Sequence, residues 1–325
     1  MSPISSFRRI LLPLTLCLTG VAFAGSAVNI AVGEFPTGVA VNPKTNTIYT
    51  ANSGYASNSV SVIDGYTNTV VAAIPVGSSP CSVDVNLNTN MVYVANDIEG
   101  SVSVIDGSTN TVVATIGGMD GPQALAVNSR TNLIYVVNYG SGQISEIDGR
   151  TNTVIANLTF DTEPAQGIAI NTASNLVYVA TGATIYVLNG ETDTITASFN
   201  VASLGIGQSI AYDATSNRIF AVGLSESASS VVFVLDATTG TLLGTITGGP
   251  LPFQSAFGVA VLVPGSSVVI SDYSRSLIYE ASETTFQTLR SVKATETPEI
   301  IAVNRNTGIF YVTEYNPWTV TAYSL

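Results

Sequence analysis

The amino-acid sequence predicts an all-β protein, a seven-bladed β-propeller of four-stranded antiparallel blades. Three observations carry this reading. The chain repeats one sentence about every 42 residues. Each copy holds four short β runs separated by turn residues. Thr, Asn, Ser and Gly supply polarity in place of charge: charged residues are 10% of the chain, against about 25% in an average soluble chain. No long segment after residue 25 has the apolar spacing of a helix.

The N-terminus stands apart. "FRRILLPLTLCLTGVAFA" places Arg8 and Arg9 before an apolar run that ends in Ala22-Phe23-Ala24. That order is a basic n-region, an h-region and an A-x-A cleavage site, so residues 1–24 read as a signal peptide. The run from Ile10 to Ala24 is interrupted by Pro13 and falls short of the ~20 residues that span a bilayer. Leu16 stands where a lipidated Cys17 would need a small residue. Residues 25–325 are therefore expected in the periplasm, secreted or at the cell surface, with no membrane insertion after cleavage.

Loss of Arg8 and Arg9 takes the formal charge from −12 to −14. An acidic surface repels phosphate backbones, so nucleic acid is not an expected partner. Only Cys81 remains, which rules out an intrachain disulfide. The chain has no histidine. That excludes His-ligated zinc, copper or haem, Ser-His-Asp triads and His general bases.

The repeat is anchored on the middle residue of a "VAV" run: Ala40, Asp84, Ala126, Ala169, Ala211, Ala260 and Ala302, spaced by 44, 42, 43, 42, 49 and 42 residues. In the second copy the β runs are "SVDVN" (82–86), "MVYVAN" (91–96), "SVSVID" (101–106) and "TVVATI" (111–116). Turns of the "NPKTNT" type join the first two runs, and "DGxTNT" joins the last two. In these turns Asp or Asn can bond the amides, and Gly is expected at positive φ. The seventh copy offers "IIAVN" (300–304), "FYVTE" (310–314) and "TVTAYSL" (319–325), one run short. "AVNIAV" (27–32) precedes the first full copy and resembles a fourth run. It is expected to complete the last blade and hide an open edge.

"YTAN" (49–52), "YVAN" (93–96) and "YVVN" (135–138), each followed by "VSVIDG-TNTVVATI"-like text, resemble YVTN-type β-propeller repeats. The likeness is strongest in copies one to three and weakest in copy six, "SVVISDYSRSLIYEASETT". The resemblance implies an extracytoplasmic or surface-layer-like propeller and implies no activity.

Much of the repeat reads as scaffold. Asp64, Asp106, Asp148 and Asp236, with Asn189, are expected to cap turns, and Tyr49, Tyr93, Tyr135 and Tyr178 to pack between blades. The turns between strands one and two, and three and four, share one face and are monotonous. The connections from strand two to three, and from blade to blade, share the other face and vary. Variable loops on a rigid scaffold are where binding usually sits.

On that face, Thr37, Cys81, Gln123, Gln166, Gln208, Phe257 and Glu299 precede the first strands and are expected around the channel mouth. Asn52, Asn96, Asn138, Thr181, Gly223, Asp272 and Glu314 end the second strands and form a second expected ring. Nearby loops add Tyr55, Asp97, Glu99, Tyr139, Glu226, Tyr273, Arg275, Tyr315 and Trp318. Aromatic and acidic groups together suit a sugar, peptide or cationic partner; the partner expected is a protein, peptide or glycan. The expected binding residues are Gln123, Gln166, Gln208, Glu299, Tyr139, Tyr273, Tyr315 and Trp318. No cofactor is called for, although Asp272, Glu299 and Glu314 could offer oxygen ligands to calcium. The leading expectation is a monomeric binding scaffold without catalysis. The alternatives are a calcium-dependent hydrolase or lactonase on the same fold, and a surface-layer or envelope structural protein.

Overall fold

The computed structural model describes residues 26–55, 57–160, 165–200, 205–225 and 229–324, with backbone only at 205–208. The signal-peptide reading and Glu226 lie outside the described residues. Among the described residues, strands form seven antiparallel four-stranded sheets arranged as successive blades. No helix there is long and apolar enough to cross a membrane. The first blade shows the pattern with strands Pro36–Asn42, Thr47–Asn52, Ser59–Asp64 and Thr69–Pro75.

The last blade is closed by the chain's first strand. Ala27–Ala31 pairs with Thr319–Tyr323, Ala27 opposite Tyr323 and Ala31 opposite Thr319. Outside the ladder, Val32 N donates to Trp318 O at 3.2 Å and Ser324 N to Ser26 O at 3.1 Å. Ile30 then packs with Val39, Ile48 and Tyr311, joining the seventh blade to the first.

The core lies between blades. Seven apolar clusters are each filled from two neighbouring blades. Tyr49, Tyr93, Tyr135 and Tyr178 are buried in these seams, as their mid-strand positions predict. The fourth strands face outward, leaving Val71, Val113, Ile155 and Leu289 exposed. In the first six blades a register shift kinks the fourth strand against the third, as at Val62/Ile63 and Val104/Ile105. Such bulges twist an edge and make it a poor template for another strand.

The turn chemistry differs from expectation in one respect. Asp64, Asp106, Asp148, Asn189 and Asp236 do cap their turns; Asp106 Oδ1, for example, accepts from Ser108 N at 2.8 Å. Positive φ, however, falls on Asn68, Asn110, Asn152 and Asp193, not on the glycine after the cap. Those glycines serve close approach. A Cβ at Gly190 would lie 1.9 Å from Tyr135 Oη, and one at Gly149 would lie 2.5 Å from Tyr93 Oη. The tyrosine of one blade thus presses directly on the turn of the next.

A second contact repeats at the same end of the blades. Asn42 Nδ2 donates to Asn90 Oδ1 at 2.6 Å, Asn86 to Asn132 at 2.6 Å, and Asn128 to Asn175 at 2.5 Å. Asn171 reaches the fifth blade through Tyr212 Oη at 2.9 Å. Asp213, which has no amide to give, accepts from Gly265 N at 2.6 Å. Asn304 closes the ring onto Asn46 at 2.6 Å. Each of these residues also accepts from the backbone two positions on, as Asn42 Oδ1 does from Lys44 N at 3.0 Å.

Deleting residues 26–32 is expected to expose the Thr319–Tyr323 edge and the Ile30 cluster. Thermal melting and light scattering should show a lower melting temperature and aggregation; an unchanged, non-aggregating deletion variant would show that closure is dispensable.

Candidate functional site

At the variable face the first strand of every blade is irregular. The ladder skips between Pro36 and Gly38, Pro80 and Ser82, Pro122 and Ala124, Ala165 and Gly167, Ala256 and Val259, and Pro298 and Ile301. The fifth blade skips between Ile206 and Ile210. Proline cannot donate to a ladder, and a bulge re-aims the residue it leaves unpaired. The unpaired residues include Thr37, Cys81, Gln123, Gln166, Phe257 and Glu299. All six line one central cavity of about 360 Å³. Gln208 lies in the fifth blade's skipped stretch, where only the backbone is described.

Below this polar mouth Val39, Val83, Leu125, Ile168, Ile210, Val259 and Ile301 line the same cavity. The mouth is therefore a polar basin over an apolar floor. Thr37 Oγ1 donates to Pro80 O of the next blade at 3.0 Å, and Cys81 Sγ to Pro122 O at 3.1 Å. Cys81 thus takes the place of a threonine, and burial pushes its thiol up to about 12. It is a poor nucleophile at neutral pH.

The second expected ring does not line the mouth. Asn52, Asn96 and Asn138 are buried, and their amides donate to serines of the adjoining third strand, at 3.0, 2.9 and 2.8 Å for Ser61, Ser103 and Ser145. Asp272 is buried at the same position. It accepts from Gln254 N at 2.8 Å, Ser255 N at 3.0 Å and Arg275 N at 3.2 Å, and Arg275 Nε lies 3.8 Å away. Glu314 is buried and accepts from Tyr323 Oη at 2.7 Å. Of the three candidate calcium ligands, only Glu299 faces the cavity. The structure does not bring them together, and no group of three Cys, Asp or Glu side chains among the described residues is placed to share an ion.

The aromatic residues fall into two groups. Tyr315 and Trp318 are partly exposed, at 43% and 36%, and pack around Phe35 as tilted rings with centroid distances of 5.1 and 5.6 Å. Tyr273 pairs with Phe257 of the cavity wall at 6.3 Å. Tyr139 is partly exposed. Phe35 was not legible as a site residue, because its partners lie at the other end of the chain. The connector "EFP" just before a first strand is the signal that could have found it.

Asp84 breaks the "VAV" pattern for a structural reason. Its carboxylate accepts from Val127 N of the next blade and from Val85 N, both at 2.8 Å.

The fold and the mouth define a seven-bladed propeller with one central basin. Among solved structures, Kuenenia stuttgartiensis hydrazine synthase matches it with a TM-score of 0.80 at 13% identity, covering 89% of this chain and 95% of that one. At this identity the likeness is one of fold. No protein-family model matches the sequence, and no curated protein matches it.

Buried carboxylates give the molecule a pH signature. Burial raises Asp84 to about 6, against two opposing backbone hydrogen bonds. Burial also raises Glu283 and Glu299 to about 7, and raises Glu146, with Asp193 adding to the shift. Between the unfolded values, near 4, and 7, the folded chain binds more protons than the unfolded one. Stability therefore falls as pH rises through that window. The capping carboxylates work the other way. Asp106 is lowered first by the Ser108 hydroxyl, and Asp148 by the Arg150 amide, so their contribution is lost below about pH 4. Thermal melts from pH 3 to 8.5 should peak near pH 4.5–5 and decline toward pH 8. A maximum at pH 8 would contradict this assignment.

Proposed function

We propose that this protein is an extracytoplasmic binding scaffold of the YVTN-type repeat class, without catalysis of its own. It takes a protein, peptide or glycan partner on the variable face. The observation that carries the reading is the set of bulges that, in six blades, turn a side chain toward a common mouth, beneath loops bearing Tyr139, Tyr273, Tyr315 and Trp318. Rigid presentation lowers the ordering cost of binding. The aromatic groups offer contact area with few rotatable bonds, and such anchors commonly dominate interfaces. The Cys81 thiol is deactivated and the sequence has no histidine to serve as a base, so positioning and contact are what the mouth residues can supply.

Export follows from the Arg-Arg, apolar and A-x-A order of the leader. Intact-mass measurement on exported protein should show residues 1–24 missing; a retained leader would place the protein elsewhere.

Immobilised protein screened on peptide and glycan arrays should yield a partner whose affinity drops at least tenfold in Trp318→Ala or Tyr273→Ala. Tyr66→Ala removes an aromatic residue from the opposite face, where it is 78% exposed, and should leave binding unchanged. Binding lost in Tyr66→Ala and retained in the other two would reverse the assignment of faces.

A further inference from the structure

Glu299 is the one carboxylate lining the central cavity among the described residues. Three carboxylates of the sixth and seventh blades have an arginine or a hydrogen-bond donor to answer them: Asp272 has Arg275, Glu280 has Arg290, and Glu314 has Tyr323. Glu299 has no ion-pair partner among the described residues, and no lysine or arginine lines the cavity. Its backbone is nonetheless well defined. Ser271 Oγ donates to its backbone carbonyl at 2.5 Å. Gly258 seats the sixth blade directly against it, since a Cβ there would lie 2.4 Å from the same carbonyl oxygen. The residue before Gly258 is Phe257, which also lines the cavity and pairs with Tyr273 at 6.3 Å.

The Glu299 side chain, on a backbone held by the sixth blade, thus lines the same cavity as Phe257, whose ring is paired with Tyr273, at the seam of the sixth and seventh blades. We infer that this seam is a binding site for a small organic ammonium ion, with Glu299 as counter-charge and Phe257 and Tyr273 as the aromatic wall. This rests on the reading of the variable face as a binding surface, and names the chemistry of one sector of its mouth.

The alternatives fit the geometry less well. Calcium takes six to eight oxygen ligands, and the other candidate carboxylates are committed to their own loops. A hard dication gains nothing from ring faces, whereas a diffuse alkylammonium is drawn to both the ring quadrupole and the carboxylate. A neutral sugar would leave the half-buried carboxylate uncompensated. The cavity, about 360 Å³, sits at the small end of the ~300–1,000 Å³ typical of small-molecule sites. Gln123 and Gln166, on blades across the mouth, can bond a polar tail.

Choline is a suitable probe, with the uncharged isostere 3,3-dimethylbutan-1-ol as its control. Calorimetry at pH 8 should show saturable one-to-one choline binding and none for the isostere. Glu299→Gln should weaken choline at least tenfold and Phe257→Leu severalfold. Glu296→Gln, an exposed carboxylate of the same connector, should leave it unchanged. In wild-type protein, affinity should fall from pH 8 to pH 5.5, because burial holds Glu299 near 7 and protonation removes the counter-charge. Cys81, which also lines the cavity, stays neutral with its thiol pushed to about 12. Glu314, which burial also raises, does not line the cavity, so the pH dependence should vanish in Glu299→Gln. The wild-type pH profile also tests the site without any variant that must fold. Absence of choline binding, equal binding of the isostere, or an affinity indifferent to both Glu299→Gln and pH would overturn the proposal. If choline fails while a partner sensitive to Trp318 and Tyr273 persists, the ammonium site alone is wrong and the binding face stands.

Discussion

The ring depends on one small contact made repeatedly at the constant face. The residue that ends a first strand accepts from its own turn and, in most blades, donates to the next blade. A single carboxamide therefore settles both the local turn and the rotation between blades. Asparagine suits the task because it has an acceptor and a donor on a short, stiff stem. Its partners, Asn46, Asn90, Asn132 and Asn175, sit at positive φ, which asparagine tolerates better than most residues. Each bond contributes only about 0.5–1.5 kcal/mol net. The apolar seam supplies the larger driving force, and the carboxamide selects one angle at which that seam can close.

With the blades registered at one end, the other end is free to vary. That is why the first-strand bulges and the long connections collect at the variable face, and why the mouth can carry Thr, Cys, Gln, Phe and Glu in one ring. The sixth blade shows how far this freedom extends. Leu262 and Val263 stand where other blades carry the registering asparagine, and the repeat spacing there lengthens to 49 residues. The same blade brings Phe257, Tyr273 and the Glu280–Arg290 pair, and its neighbour brings Glu299. The candidate site lies at the seam where the repeat rule is broken, as expected when function and local consistency compete.

The blade count, the strand pattern and the inner ring of mouth residues were legible in the sequence because they follow from spacing alone. A period near 42 residues and a position just before each first strand need no knowledge of distant contacts. Three features were not legible. Glycine and asparagine in "DGxTNT" both tolerate unusual backbone, and only the approach of Tyr135 to Gly190 shows that close contact, not φ, demands the glycine. Asn52 and Glu314 look like surface residues in an alignment, yet serine and tyrosine partners draw them inward. Phe35, Tyr315 and Trp318 come together only because the ring closes.

Ring closure also changes what the ends of the fold are. Ser26 Oγ and Ser324 Oγ lie 2.7 Å apart. A peptide linker of a few residues could span them, and any exposed loop between blades could then become the new terminus. The architecture has no privileged first blade. Translation order and spatial order are separable in it, so a circularly permuted chain would meet the same neighbours at every seam.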